Sequence, residues 1–421
     1  MSIDQGRIAP LNPPKRTLSP LEKSFLGDLG GRLGFTRMIL FLLLFLFFPL
    51  FSFAQSEEEK PKKYTLTGYV KNLQSIYRIK LGTVDPIFAQ DNLLHNRLNF
   101  KYFFNESWTL KSDLRNRIFY GERSLFLANF DEDIGNDFFD LSTNIIDANG
   151  LLFHSMIDRL YLEYAKGDWE IRLGRQRINW GINTVWNPHD IFNAYNFADF
   201  DYEERPGSDA LRVTYYTSFA SSVEVAVRAA NSLDSMIVGG LWKFNKWNYD
   251  FQILTGYFQN DLALGAGWAG NIKNASFKGE LTYFLPLVDE NESGFVAAFG
   301  VDYSFNKGLY LNTGFLYNSL GVTTGGLESL FTAQLSAKNL YPFRFSIFLQ
   351  ASYPITPLLN IGLANIYSPS EAQALFINPT VSYSIGQDWD LDIVGQLLFN
   401  QGLEKYESPL QGFFLRFKYS F

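Results

Sequence analysis

The last eleven residues, Gln411-Gly412-Phe413-Phe414-Leu415-Arg416-Phe417-Lys418-Tyr419-Ser420-Phe421, alternate a large apolar side chain with something else. Side chains on a strand change sides at every residue. Phe413, Leu415, Phe417, Tyr419 and Phe421 therefore share one face, and Arg416, Lys418 and Ser420 the other. One face suits lipid and the other water. The same period of two recurs upstream, and reading for it gives eighteen strand-like segments: 65–78, 93–104, 108–120, 156–164, 169–178, 210–216, 223–229, 237–244, 249–258, 262–269, 276–285, 295–305, 309–317, 343–352, 359–366, 375–385, 389–399 and 413–421. Merging or splitting a weak segment gives 16 or about 20 instead.

No other part of the chain competes with this pattern. Met38 to Phe48 is an unbroken apolar run with Arg32 and Arg37 before it and Pro49, then Ser52-Phe53-Ala54, after it. A basic flank, a short apolar core and small residues make a secretory signal peptide, with cleavage expected after Ala54. A spanning helix would need roughly 20 apolar residues, and Pro49 with Gln55-Ser56-Glu57 stops this run short. Translation from Met1 gives a long leader, and Met38 is a second possible start. Residues 1–54 are thus read as leader, 55–64 as a short periplasmic segment and 65–421 as the folded domain.

Past Ala54 no apolar run is long enough for a spanning helix, yet Phe, Tyr and Trp make up 17% of the chain, more than one soluble core needs. Aromatic rings favour the headgroup zones of a bilayer. Backbone groups in lipid must all be paired, so strands cross it only as a closed cylinder. The fold class expected is all-β: a transmembrane antiparallel up-and-down β-barrel of about 18 strands, with 16 as the alternative.

The connections agree. Those after even-numbered segments are tight, as at Asn105-Glu106-Ser107, Lys166-Gly167-Asp168, Asn245-Lys246 and Gly386-Gln387-Asp388. The long ones, 121–155, 179–209 and 319–340, follow odd-numbered segments. Barrels of bacterial outer membranes sort their loops in this way, with short turns in the periplasm. A soluble sandwich or propeller has no reason to.

If the apolar parity faces lipid, the opposite parity lines the interior. In the N-terminal half that parity carries Arg97, Asn99 and Lys101, then Lys111, Asp113, Arg115 and Arg117, then Arg159 and Glu163. Glu170, Arg172, Arg212, Glu224 and Arg228 continue it. In the C-terminal half it carries mostly neutral polar groups such as Asn312, Asn318, Ser346 and Gln350, with Asp390 and Asp392. Arg97, Lys101, Lys111, Arg115, Arg117, Arg159, Glu163, Arg172, Arg212 and Arg228 are the candidate pore-lining residues. Such a wall attracts anions to a hydrated passage, although Arg–Glu ladders could equally cross-link the strands of a plugged barrel.

Arg172-Leu173-Gly174-Arg175-Gln176-Arg177-Ile178-Asn179-Trp180-Gly181, Asn187-Pro188-His189-Asp190-Ile191-Phe192-Asn193 and Arg205-Pro206-Gly207 form the most distinctive stretch. It resembles the signature of a group of outer-membrane porin-like proteins, with Gly-Arg-Gln, Trp-Gly, Asn-Pro-x-Asp and Arg-Pro-Gly in that order. Its first part is similar to the Gly-Arg-Gln strand of alginate-export barrels, which implies an eighteen-stranded channel with an arginine-lined lumen. The terminal strand 411–421 resembles the sorting signal through which the β-barrel assembly machinery recognises its clients.

Arg175 and Arg177 share the parity of Trp169, Ile171 and Leu173, so a bulge near Gly174 or an exit from the lipid zone is required. The loop that follows carries Asp190, Asp199, Asp201, Glu203, Glu204 and Arg205 beside Trp180, Trp186, Phe192, Phe197, Phe200 and Tyr202. It is too apolar to sit in solvent. It is expected to fold inward as a constriction made by Trp180, Asp190, Asp199, Asp201, Glu203, Glu204 and Arg205, with an outer loop packed on its neighbours as the alternative.

The remaining chemistry is sparse. There is no cysteine, hence neither a disulfide nor a lipid-modified N-terminal Cys. The leader holds six basic and three acidic residues, so the remainder carries 30 Lys and Arg against 40 Asp and Glu, net −10, which disfavours nucleic acid. His95, His154 and His189 form no His-x-x-x-His pair and no Gly-x-Ser-x-Gly elbow is present, so no catalytic residue is expected. Asp131-Glu132-Asp133 with Asp137, and the acids from Asp199 to Glu204, lack calcium-loop spacing, and neither metal nor cofactor is expected. The expected function is an outer-membrane porin-like channel for passive diffusion of small polar or anionic solutes, embedded in outer-membrane lipid and lipopolysaccharide. Export of an acidic polysaccharide and a closed structural or adhesive barrel are the alternatives.

Overall fold

The computed structural model describes residues 62–80, 85–122, 137–148, 150–194, 206–289, 291–323, 335–401 and 405–421. The leader and segment 55–61 lie outside these residues. The strands are β1 (Tyr64–Ile79), β2 (Ile87–Phe103), β3 (Trp108–Gly121), β4 (Ser142–Ala148), β5 (Leu151–Lys166), β6 (Trp169–Gln176), β7 (Ser208–Ser218), β8 (Ser221–Arg228), β9 (Ile237–Lys246) and β10 (Tyr249–Phe258). They continue with β11 (Asp261–Ile272), β12 (Ala275–Pro286), β13 (Gly294–Ser304), β14 (Tyr310–Asn318), β15 (Phe345–Thr356), β16 (Leu359–Ser368), β17 (Ala374–Ser384), β18 (Trp389–Gln401) and β19 (Tyr406–Ser420).

Neighbours in sequence pair antiparallel except β3 and β4, both of which pair with β5, and β1 pairs with both β2 and β19, from Tyr69↔Ser420 to Ile79↔Leu410. The sheet therefore closes into a barrel of eighteen staves, and each of the eighteen alternating segments is one stave. Closure leaves no bare edge, the condition that lipid imposes.

Alternation decides the faces. On β8, Val223, Val225 and Val227 are exposed while Ser222, Glu224 and Ala226 are buried. On β15, Phe345, Ile347 and Leu349 are exposed and Ser346 and Phe348 buried. Phe413 and Leu415 are exposed on β19, as is Phe421 just after it, whereas Phe414 turns inward and is buried. The exposed apolar rows form the outer band. Cross-strand aromatic pairs, Trp108 with Tyr164, Trp169 with Tyr215 and Trp389 with Tyr419, stand 4.9, 4.7 and 4.5 Å apart at the end with short turns. They form an interfacial girdle. At that end Trp247 and Asn248 both take positive φ, the backbone of a two-residue turn whose twist matches its strands.

One stave is spliced. β6 pairs with β5 from Lys166↔Trp169 up to Leu160↔Arg175 and ends at Gln176, where the chain leaves the wall. Above that point β5 would offer an unpaired edge. β4, which the sequence pattern did not show, takes the vacated place and pairs with residues 151–156 of the same strand. Gly174 has φ of 122°, and a Cβ there would lie 2.2 Å from the Leu160 carbonyl oxygen. The β5–β6 register carries no shift, so no bulge forms at Gly174; Arg175 stays in the ladder and is buried, and the chain leaves the wall only after Gln176.

The apolar core lies inside the barrel. Ile178, Trp180, Val185, Trp186, Ile191 and Phe192 pack against Leu241, Leu254, Phe284, Leu316, Phe348 and Ile366 of the inner wall. This corrects the expectation of a neutral polar C-terminal wall. Asn312, Asn318 and Ser346 are buried on the inner face as expected, but Leu316 and Phe348 share that face and take up the loop.

Candidate functional site

The inner wall from β19 through β1, β2, β3 and β5 carries cations placed directly opposite one another. Lys71 pairs in register with Lys418 on one side and His95 on the other. His95 faces Arg117, Arg97 faces Arg115, and Lys101 faces Lys111. On β6 and β7, Arg172 faces Arg212. Like charges directly opposite destabilise a ladder by up to about 1 kcal/mol per pair, so such a wall survives only with interleaved acids.

Asp158 is the central acid. The β3–β5 register shifts at Asp113/Leu114, so Asp113 pairs with Arg159 while Leu114 pairs with Ile157, and Asp158 is the extra residue of a bulge. Both Asp158 and Arg159 then point inward and are buried. Arg97 Nη1 donates to Asp158 Oδ2 at 2.7 Å, Arg97 Nη2 to Asp113 Oδ2 at 3.0 Å, and Arg159 Nη1 stands 3.0 Å from Asp158 Oδ2. Arg115 Nη2 lies 3.9 Å from Asp158 Oδ1, and Lys111 Nζ lies 3.3 Å from Asp113. Asp158 was missed in the sequence. Its signal was the adjacent pair Asp158-Arg159, which no regular alternation can place on one face.

A second group runs across β5 to β8 with alternating sign. Arg172 donates to Glu163 at 2.6 Å and stands 3.1 Å from Glu170. Arg212 lies 3.9 Å from Glu170 and donates twice to Glu224, both at 2.7 Å. Arg228 donates to the Ser235 carbonyl at 2.5 Å and lies 3.8 Å from Asp137. Lys101 is exposed near the short-turn end.

Opposite this wall the loop after β6 is fastened to the inner face of β8 to β14. Trp180 Nε1 donates to Glu224, and the ring sits where Gly239 has no side chain, since a Cβ there would approach it to 2.6 Å. His189 fits the same kind of space over Gly265 and Gly267, with Nδ1 3.1 Å from Gln252 Oε1. Glu280, fully buried on β12, accepts from the backbone N–H groups of Ile182 at 2.6 Å, Asn183 at 2.8 Å and His189 at 3.0 Å. Asp190 braces the loop internally, accepting from Trp180 N at 2.6 Å and Gly181 N at 2.7 Å. Glu280 was also missed. Its signal was an acid on the inner parity of β12, between Lys278 and Thr282.

Of the constriction residues expected from sequence, Trp180 and Asp190 are in this docked loop. Asp199, Asp201, Glu203, Glu204 and Arg205 lie outside the described residues, as do Asp131, Glu132 and Asp133. Arg175 and Asp209 form a two-pronged pair, Nε to Oδ1 at 2.9 Å and Nη2 to Oδ2 at 2.7 Å. The segment leading into β4 covers it: Asp137 accepts from Asp209 N at 2.6 Å, Phe139 N donates to Asp209 at 2.8 Å, and Arg175 also donates to the Phe139 carbonyl. Burial pushes the Asp137 carboxyl above the usual carboxylate range.

Solved structures with the same architecture include Pseudomonas aeruginosa OpdQ, at 8% identity with 86% of this chain and 99% of that chain covered and a TM-score of 0.55. A BenF-like porin from Pseudomonas fluorescens Pf-5 aligns at 10% identity over 86% and 99%, TM-score 0.56. The fold is that of outer-membrane porins. Acinetobacter baumannii OccAB2 aligns at 7% identity over 85% and 98%, TM-score 0.52. Comparison with protein-family models and with curated proteins gives no match.

Proposed function

We propose that the protein is an outer-membrane channel for passive diffusion of small polar or anionic solutes. The observation that carries this reading is the run of directly opposed cations on the inner wall, Lys71 with Lys418, Arg97 with Arg115, Lys101 with Lys111 and Arg172 with Arg212. A purely structural barrel gains nothing from like charges set face to face, whereas a passage for anions gains a favourable potential along its length. The docked loop with Trp180 and Asp190 narrows the lumen from the β8–β14 side and leaves the solute path along β1 to β7. Lys101 and Lys111 meet the solute at the periplasmic end, and Arg172 and Arg212 line the wall above them. The role assigns no bond-making step and needs no cofactor.

The likeness of the Gly-Arg-Gln stretch to alginate-export barrels supports an arginine-lined lumen. The terminal strand 411–421 is the contact for the β-barrel assembly machinery, and the apolar band is the contact for outer-membrane lipid and lipopolysaccharide. A polysaccharide exporter would share the basic wall, but the docked loop with Trp180 and Trp186 occupies part of the lumen against it. A closed barrel is the second reading, favoured by the near-complete burial of Arg97 and Arg115. Purified barrel in planar bilayers separates the two: unitary conductance steps with an anion-selective reversal potential in a KCl gradient are expected. A correctly folded barrel that never conducts refutes the channel.

A further inference from the structure

β17 contains a proline in mid-strand. The β17–β18 ladder reaches Ile377↔Leu397 and resumes in the same register at Thr380↔Val394, so Pro379 faces Gly395 across a gap. Proline has no N–H to donate there. The Gly395 carbonyl instead accepts from the side-chain amide of Asn378 at 2.7 Å. Pro379 faces outward and Gly395 has no side chain, so the lipid-facing surface is dented at this point. The dent continues as a groove across β18, β19, β1 and β2, bordered by Val381, Leu397, Phe413 and Ile76.

The far end of the groove is polar. Arg78 and Gln411 stand opposite each other on β1 and β19, on the outward parity, and both line the groove with Phe88 beyond them. Neither side chain has a hydrogen bond or ion pair among the described residues. Lys80, one outward position further on, is already paired with Glu407 at 3.2 Å. Ten residues separate Phe421 in the girdle from Gln411. At about 3.3 Å per residue and a tilt of about 40° that is a rise of about 25 Å, the height of an apolar band. Arg78 and Gln411 therefore lie at the headgroup level of the outer leaflet, above an apolar trough.

We infer that this face binds one phosphate-bearing lipid of the outer leaflet, with an acyl chain along the trough over Gly395 and a phosphate on Arg78 beside Gln411. The guanidinium matches a phosphate in geometry and charge, and the groove is apolar where a chain would run. Lipid, rather than a second copy of the chain, is the occupant because the polar and apolar ends are ordered along the membrane normal as in a lipid.

Native mass spectrometry of the detergent-solubilised barrel with bisphosphorylated lipid A, and with the same lipid after phosphate removal, tests the site. The wild type is expected to hold one phosphorylated lipid A at least about tenfold more tightly than R78Q, the size of one lost charge-assisted contact. Leu397→Trp, which fills the trough and leaves Arg78 in place, is expected to weaken binding as well. Dephosphorylated lipid A should bind the wild type at least about tenfold more weakly than the intact lipid does, an outcome that needs no folded variant. Equal binding of the two lipids by the wild type overturns the site, as does unchanged affinity in heat-modifiable, folded R78Q. A dimer that Leu397→Trp dissociates gives the groove to a second copy and overturns it too.

Discussion

Glu280→Gln isolates the anchor of the inward loop. The carboxylate accepts three backbone N–H groups, with Ile182 and Asn183 on Oε1 and His189 on Oε2. Glutamine keeps one acceptor oxygen for the first two but turns an NH2 toward the His189 N–H, so that bond becomes a donor facing a donor. A hydrogen bond to a charged group contributes about 1.5–3 kcal/mol, and an unpaired buried donor costs about 1–3 kcal/mol. A local loss of about 3 kcal/mol raises the population of the undocked loop by about a hundredfold. Hydrogen–deuterium exchange reads this directly, because the amides of residues 182–189 open with the loop. Their exchange should accelerate by about that factor while the β12 amides stay protected. Asp302→Asn, one strand away and 3.7 Å from Lys278, should change nothing in the loop. In planar bilayers the same variant should show longer visits to larger conductance levels. Unchanged exchange over 178–193 in folded Glu280→Gln would show that apolar packing alone holds the loop.

Asp158→Asn removes the shared acid of Arg97, Arg115 and Arg159 and should cost about 3–5 kcal/mol, as for one partner taken from a buried ion group; an unaltered midpoint in urea, followed by tryptophan fluorescence, contradicts this. Lys111→Glu combined with Lys101→Glu changes charge where the wall is solvated, so the fold should hold while the reversal potential moves toward cations. Asp137→Asn probes the carboxyl raised by burial. A raised folded value means its contribution is full at low pH and is lost as pH climbs through that value. The variant mimics the protonated form, so its stability should exceed that of the wild type by an amount that grows with pH, and parallel pH–midpoint curves would refute it.

The staves were legible because each buries one face in lipid and the other in the lumen, which writes the period of two into every segment. Even the count held, since a merged or split stave would have reversed the parity of loop length. β4 was not legible: it is seven residues long, carries a register shift between Asn144 and Ile146, and among the described residues pairs only with β5. It exists to replace β6, and nothing local to 142–148 records that β6 departs at Gln176. The basic wall could be read from parity alone, but not the acid at its centre, because the bulge at Asp158 adds a residue to the inner face and a regular period has no place for it. The inner apolar surface was obscured for a related reason. Leu316 and Phe348 fall on the inner parity, where the strand pattern supplies no apolar partner until the loop is placed inside.

The splice also dictates an order of assembly. A wall position shared by 142–148 and 169–176 cannot be completed by zipping strands in sequence, since its upper half comes from chain that precedes β5 and its lower half from chain that follows it. The arm must swing back before the inward loop can be stowed without leaving a slit. Excising 137–148 should therefore yield a cylinder that leaks sideways, into the membrane, rather than one with a wider bore.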